Sequence, residues 1–109
     1  MKRFKIYQIK DEAENARYIK FSDMEMLEHL GLKEKLSLDL YENVYEGNID
    51  GKDDFHALEG LYRIFNFGDR PKDFKGHSLS VSDVVELDGK FYYCDSYGWL
   101  EVFKNKEAA

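Results

Sequence analysis

The run Val84-Val85-Glu86-Leu87-Asp88-Gly89-Lys90-Phe91-Tyr92-Tyr93-Cys94-Asp95 constrains the fold more than any other stretch. Asp-Gly supplies two residues that tolerate positive φ, which a type I′ turn needs, and β-branched and aromatic residues flank it on both sides. The segment reads as a β-hairpin. The run Gly98-Trp99-Leu100-Glu101-Val102-Phe103 follows as a further strand. Alternation puts Phe91 and Tyr93 on one face of the hairpin, and Tyr92 and Cys94 on the other.

Elsewhere the pattern alternates between helix and strand. Phe4–Lys10 has period two and reads as a strand, as does Tyr41–Ile49, where a slip near Glu42–Asn43 suggests a bulge. Leu36, Leu38 and Leu40 also repeat with period two. Ser22 and Glu25 form a capping box, Met24, Leu27 and Leu30 follow at helical spacing, and Gly31 ends the run, so a short helix is expected over Asp23–Leu30. Asp53 or Asp54 caps a second helix, Phe55–Phe65, with Phe55, Leu58, Leu61, Tyr62 and Phe65 on one stripe. Residues 66–76 hold the only proline and read as a loop. The expected fold is α+β: a single domain over residues 1–109, with a largely antiparallel sheet of about four to five strands and two helices packed on one face. Residues 1–3 and 104–109 are expected to be loose tails. A strand such as Phe4–Lys10, if at the edge, would allow two chains to pair as a homodimer.

A chain of 109 residues that is 43% hydrophobic and 16% aromatic can bury a core without a disulfide or metal. The single cysteine, Cys94, fits a reducing compartment. The sequence shows no signal peptide and no apolar run able to span a bilayer, so a cytoplasmic location in a bacterial host is expected. The net charge of −6 opposes direct nucleic-acid binding. Lys2, Arg3, Lys5, Lys10, Arg17 and Lys20 make the start basic, which leaves a DNA-binding adaptor as a weaker reading. Glu34, Asp39, Glu42, Glu46, Asp50, Asp53, Asp54 and Glu59 make the middle acidic. Such a segment either keeps a small protein soluble or steers a basic partner toward it.

Catalytic and metal chemistry find little support in the residue pattern. His77, Cys94 and Asp95 carry the residue types of a thiol hydrolase, but alternation sends Cys94 and Asp95 to opposite faces and no helix N-terminus activates the thiol. A buried cysteine is the simpler reading. His29, His56 and His77 lack metal-ligand spacing. The stretch from Glu46 to Ala57 fails as a calcium loop at its first and twelfth positions. The stretch Ser78-Leu79-Ser80-Val81-Ser82-Asp83 reads as a serine turn, with Ser80 or Ser82 satisfying backbone groups, in preference to a phosphate cradle. No catalytic, cofactor-binding or metal-binding residue is assigned. Tyr92, Tyr93, Tyr97 and Trp99 divide between core and a patch of the kind found at protein interfaces.

Residues 73–102, with the core Gly76-His77-Ser78-Leu79-Ser80-Val81-Ser82-Asp83-Val84-Val85 followed by Tyr93, Asp95 and Gly98, resemble the YodL-like domain. Phe4–Lys10 and Leu61–Phe74 extend the resemblance from about Phe4 to Phe103. The family occurs in Firmicutes as short proteins and as modules of plasmid, integrative-element and phage proteins. The resemblance carries no catalytic residues. It implies protein binding, through a small member associated with the bacterial actin-like cytoskeleton and through mobile-element members that travel beside counter-defence genes. With the acidic charge, the expectation is a non-enzymatic inhibitor (anti-CRISPR or anti-restriction) that occludes a basic nucleic-acid-binding surface on a bacterial defence nuclease or its complex. Glu42, Glu46, Asp50, Asp53 and Asp54 would meet the basic surface, with Tyr97 and Trp99 as anchors. The alternatives are a regulator of a host cytoskeletal protein and, less favoured, a cysteine hydrolase.

Overall fold

Asp88 and Gly89 both adopt left-handed backbone, with φ of 48° and 92°, and close the expected hairpin. The computed structural model describes residues 1–67, 71–74 and 76–104. In chain order the elements are β1 (Lys2–Ile9), α1 (Ala16–Ile19), α2 (Met24–His29), two 3-10 turns (Lys33–Lys35 and Leu38–Leu40), β2 (Tyr41–Ile49), α3 (Asp54–Phe67), β3 (Val84–Leu87), β4 (Lys90–Asp95) and β5 (Gly98–Val102). The strands form one sheet in the order β2-β1-β3-β4-β5. Every neighbouring pair is antiparallel.

The α+β class and the antiparallel sheet follow the sequence. The helices, however, cover both faces, not one. Phe4, Ile6, Val85 and Leu87 face α3, where Ala57, Leu58, Leu61 and Phe65 are buried. Ile9, Val84, Phe91 and Tyr93 face the other way, under Ala16 and Ile19 of α1 and Met24 and Leu27 of α2. The inner strands are apolar on both sides, so each face needs a cover to remove it from water. The stripe of α3 is narrower than expected, because Phe55 and Tyr62 are exposed.

Strand β1 lies between β2 and β3, paired with β2 along its whole length and with β3 over Phe4–Tyr7. It is therefore not an edge at which two chains could pair; the edges are β2 and β5. It begins at Lys2, so Lys2 and Arg3 belong to the sheet and not to a loose tail. The other expected tail lies outside the described residues from position 105, as do positions 68–70 and 75 of the loop. The bulge falls at Val44, one residue beyond the expected slip: Ile6 pairs with Tyr45, and Tyr7 with Asn43. The extra residue turns Tyr45 and Ile49 toward α3 while Tyr41 faces α2. Leu38–Leu40 is a 3-10 turn. Helix α2 is capped by Asp23, whose Oδ1 accepts from Met26 N at 2.8 Å, whereas Ser22 Oγ donates to Tyr18 O. The capping box of Ser22 and Glu25 is replaced by this cap one residue later.

Candidate functional site

Residues 76–83, between α3 and β3, fold over a polar centre. Gln8 sits on the α3 face of β1, in line with Phe4 and Ile6, and is 3% exposed. Its Nε2 donates to His77 O at 2.9 Å and to Asp83 Oδ2 at 3.1 Å, and its Oε1 accepts from His77 N at 3.2 Å. Gly76 lies so close that any Cβ there would run into Gln8 Oε1. Asp83 is 1% exposed, and its Oδ2 also accepts from Ser80 N at 2.8 Å. Burial pushes its carboxyl up to about 8, against the opposing pull of the Ser80 and Gln8 bonds and of Lys20. His77 Nε2 lies 3.9 Å from Asp83 Oδ1, and Nδ1 lies 2.7 Å from Ser78 O and 3.2 Å from Gln8 Nε2.

The same segment ties the two faces together. Ser82 has φ of 88°, and its Oγ accepts from Phe21 N at 3.0 Å. Phe21 has φ of 66°, a rare conformation for an aromatic residue, and remains 62% exposed. Its ring lies 5.5 Å from that of His77. Tyr41 OH donates to Ser82 O and Tyr93 OH to Ser22 O, each at 2.6 Å. Asp95 Oδ1 accepts from Met24 N, while Ser96 Oγ donates to Asp23 Oδ2. The Ser96 bond, followed by that of Met26 N, holds the Asp23 carboxyl below the usual range. Ser80 makes the local turn its spacing suggests, donating through Oγ to Ser78 O, whereas Ser82 and Ser96 make long-range contacts that spacing did not indicate.

Two cavities open beside this clamp and share Val81 and Ser96. One, of about 260 Å³, is lined by Glu59 and Tyr62 of α3 with Cys94, Asp95 and Trp99. The other, of about 250 Å³, is lined by Phe21, Asp23 and Met26. Together they form a groove with aromatic and thioether lining; Tyr97 lines neither cavity and is fully exposed on the β4–β5 turn, next in sequence to Ser96.

The residues expected to meet a partner do not form one patch. Glu42 and Glu46 lie on β2, and Tyr97 and Trp99 belong to the opposite edge, four strand spacings or about 19 Å away. Glu46 is paired with Arg3 and also accepts from Asn43. Asp53 accepts from His56 N at 2.9 Å at the start of α3. Asp54 accepts from Tyr92 OH at 2.5 Å and pairs with Lys2 at 3.2 Å. Glu42 and Asp50 are exposed and unpaired among the described residues. Trp99 is half-buried against the α3-side core, so only Tyr97 stands free.

His77, Cys94 and Asp95 are not brought together. The thiol is buried and pushed up to about 12, first by burial and then by the charges of Asp83, Asp95 and Glu59. The ring of His77 meets Gln8, Ser78, Phe21 and Asp83. Among the described residues no three His, Cys, Asp or Glu side chains converge as metal ligands. No described helix is long and apolar enough to cross a membrane. Gln8, Asp83 and Phe21 were not singled out by their residue chemistry. The sequence signal for Gln8 was a polar residue in an otherwise apolar strand face.

A family model described as the YodL-like domain matches residues 3–104. No curated protein and no solved structure matches the chain.

Proposed function

The chain belongs to the YodL-like domain family, and from that premise we propose that it is a non-catalytic, protein-binding inhibitor carried by a mobile element. Its target is a bacterial defence nuclease of the CRISPR or restriction class, met in the cytoplasm, whose basic nucleic-acid-binding surface it covers. The observation that carries this reading is the groove beside the clamp. Aromatic and methionine side chains stand at its surface, the composition that anchors protein interfaces. A net charge of −6 supports a basic partner by speeding encounter. Glu42 and Asp50, unpaired among the described residues, contribute to that field from the far edge and do not act as direct anchors. The reading needs no cofactor.

The test is capture with the tagged protein from a Firmicutes lysate containing both nuclease classes, followed by cleavage assays with the captured enzyme. A stoichiometric nuclease whose DNA binding is lost, and regained with Tyr97→Ala, is the expected result. An actin-like protein as the sole stoichiometric partner would replace this reading with cytoskeletal regulation.

A further inference from the structure

We infer that the cavity between Tyr62 and Trp99 takes an arginine side chain from the partner, with Glu59 as its counter-charge. The inference deepens the protein-binding reading above and rests on it. The cavity brings Tyr62, Trp99 and Glu59 to one opening of about 260 Å³. A guanidinium suits this combination, because it stacks on aromatic faces while its N–H groups reach carboxylates. An alkyl side chain would leave the Glu59 carboxylate uncompensated.

Glu59 makes no ion pair among the described residues. The Asp95 carboxyl is turned toward the start of α2, where Oδ1 accepts from Met24 N and Ser96 N. Cys94 belongs to the same lining, and its thiol is pushed up first by burial and then by the charges of Asp83, Asp95 and Glu59. The adjoining cavity adds Asp23 and the apolar groups Phe21 and Met26. An arginine followed by an apolar residue in an extended partner segment would fill both. Recognition of a basic partner thereby moves from the acidic stretch 42–54, where Glu46 and Asp54 are ion-paired internally, to this groove.

Trp99 is the only tryptophan, so its fluorescence reports on the cavity directly. The probe is a capped pentapeptide, Gly-Ser-Arg-Ser-Gly, titrated beside its citrulline counterpart, which keeps the shape and loses the charge. The arginine peptide is expected to give a saturable change that the citrulline peptide does not. Glu59→Gln should weaken it about 5-fold, the effect of removing one counter-charge from a cation site. Glu42→Gln removes the same charge from the far edge and should leave it unchanged. Equal responses to the two peptides, or equal effects of the two substitutions, would overturn the inference. Failure here beside successful nuclease capture would remove the arginine site alone; failure of capture beside a selective arginine response would remove the nuclease reading alone.

Discussion

Replacing Asp83 by Asn should stabilise the protein at neutral pH, although it removes a buried, hydrogen-bonded carboxyl group. The carboxyl is 1% exposed and its folded-state value lies near 8, against 3.8 unperturbed. The fold therefore favours the neutral acid. Its contribution is fully present below about pH 3.8 and is lost as pH rises toward about 8. Each pH unit in that window costs about 1.36 kcal/mol, so the loss by pH 7 is on the order of 4 kcal/mol. That is a large fraction of a typical folding stability of about 5–15 kcal/mol. Asparagine keeps an acceptor for Ser80 N and Gln8 Nε2 and has no proton to lose. His77, Lys20, Tyr41, Tyr93 and Cys94 are the titratable groups coupled to this site, and all remain in the variant. Urea unfolding followed by Trp99 fluorescence at pH 5, 7 and 9 reads the difference. Asp11, Asp23, Glu46, Asp53 and Asp54, whose carboxyls are lowered, act in the opposite sense as pH falls and cancel between the two proteins. Asp83→Asn should exceed the wild type by several kcal/mol at pH 7 and 9 and approach it near pH 4. A variant weaker than the wild type by a constant amount at every pH would refute the reasoning and mean that Asp83 is ionised in the fold.

Three further outcomes test other parts of the clamp. Gly76→Ala should destabilise by about 2 kcal/mol, because its Cβ meets Gln8 Oε1 and the ring of Phe74; thermal unfolding measures it. Tyr41→Phe should lose about 1 kcal/mol in urea unfolding by leaving the buried Ser82 carbonyl without its hydroxyl donor. Cys94 should resist a thiol reagent at pH 8 in the native protein and react once it is unfolded in urea, since burial holds the thiol near 12; rapid native labelling would contradict that burial.

Local patterns carried over best where one short segment decides the outcome. Asp88–Gly89 fixed its own turn, and Tyr41–Ile49 became a strand with the expected limits. Where two neighbours could serve, tertiary contacts chose. Ser22 and Asp23 can both cap a helix, but the Ser22 carbonyl is engaged by Tyr93, and Ser96 fixes the Asp23 side chain. The leucines at 36, 38 and 40 show strand spacing, yet Leu36 is a single extended residue and Leu38–Leu40 is a 3-10 turn, and all three pack against the α2-side core. The fate of the acids was hidden for a similar reason. Glu46 finds Arg3, and Asp54 finds Lys2 and Tyr92, only after the sheet register and the path of α3 are set. The Ser80–Asp83 turn was legible, but the burial of Asp83 depends on Gln8, 75 residues away.

The central place of β1 also sets a schedule for synthesis. Lys5 pairs with Glu86, so one long side of the first strand stays open until some 80 further residues exist. At ribosomal speed that interval is about 4–16 s. During it β1 offers unpaired backbone beside Phe4 and Ile6, the kind of exposed edge that invites pairing with another nascent chain. Lys2, Arg3 and Lys5 on that strand, with Lys10 just beyond it, would set like charges against a second copy of the same strand, which opposes its pairing until β3 arrives.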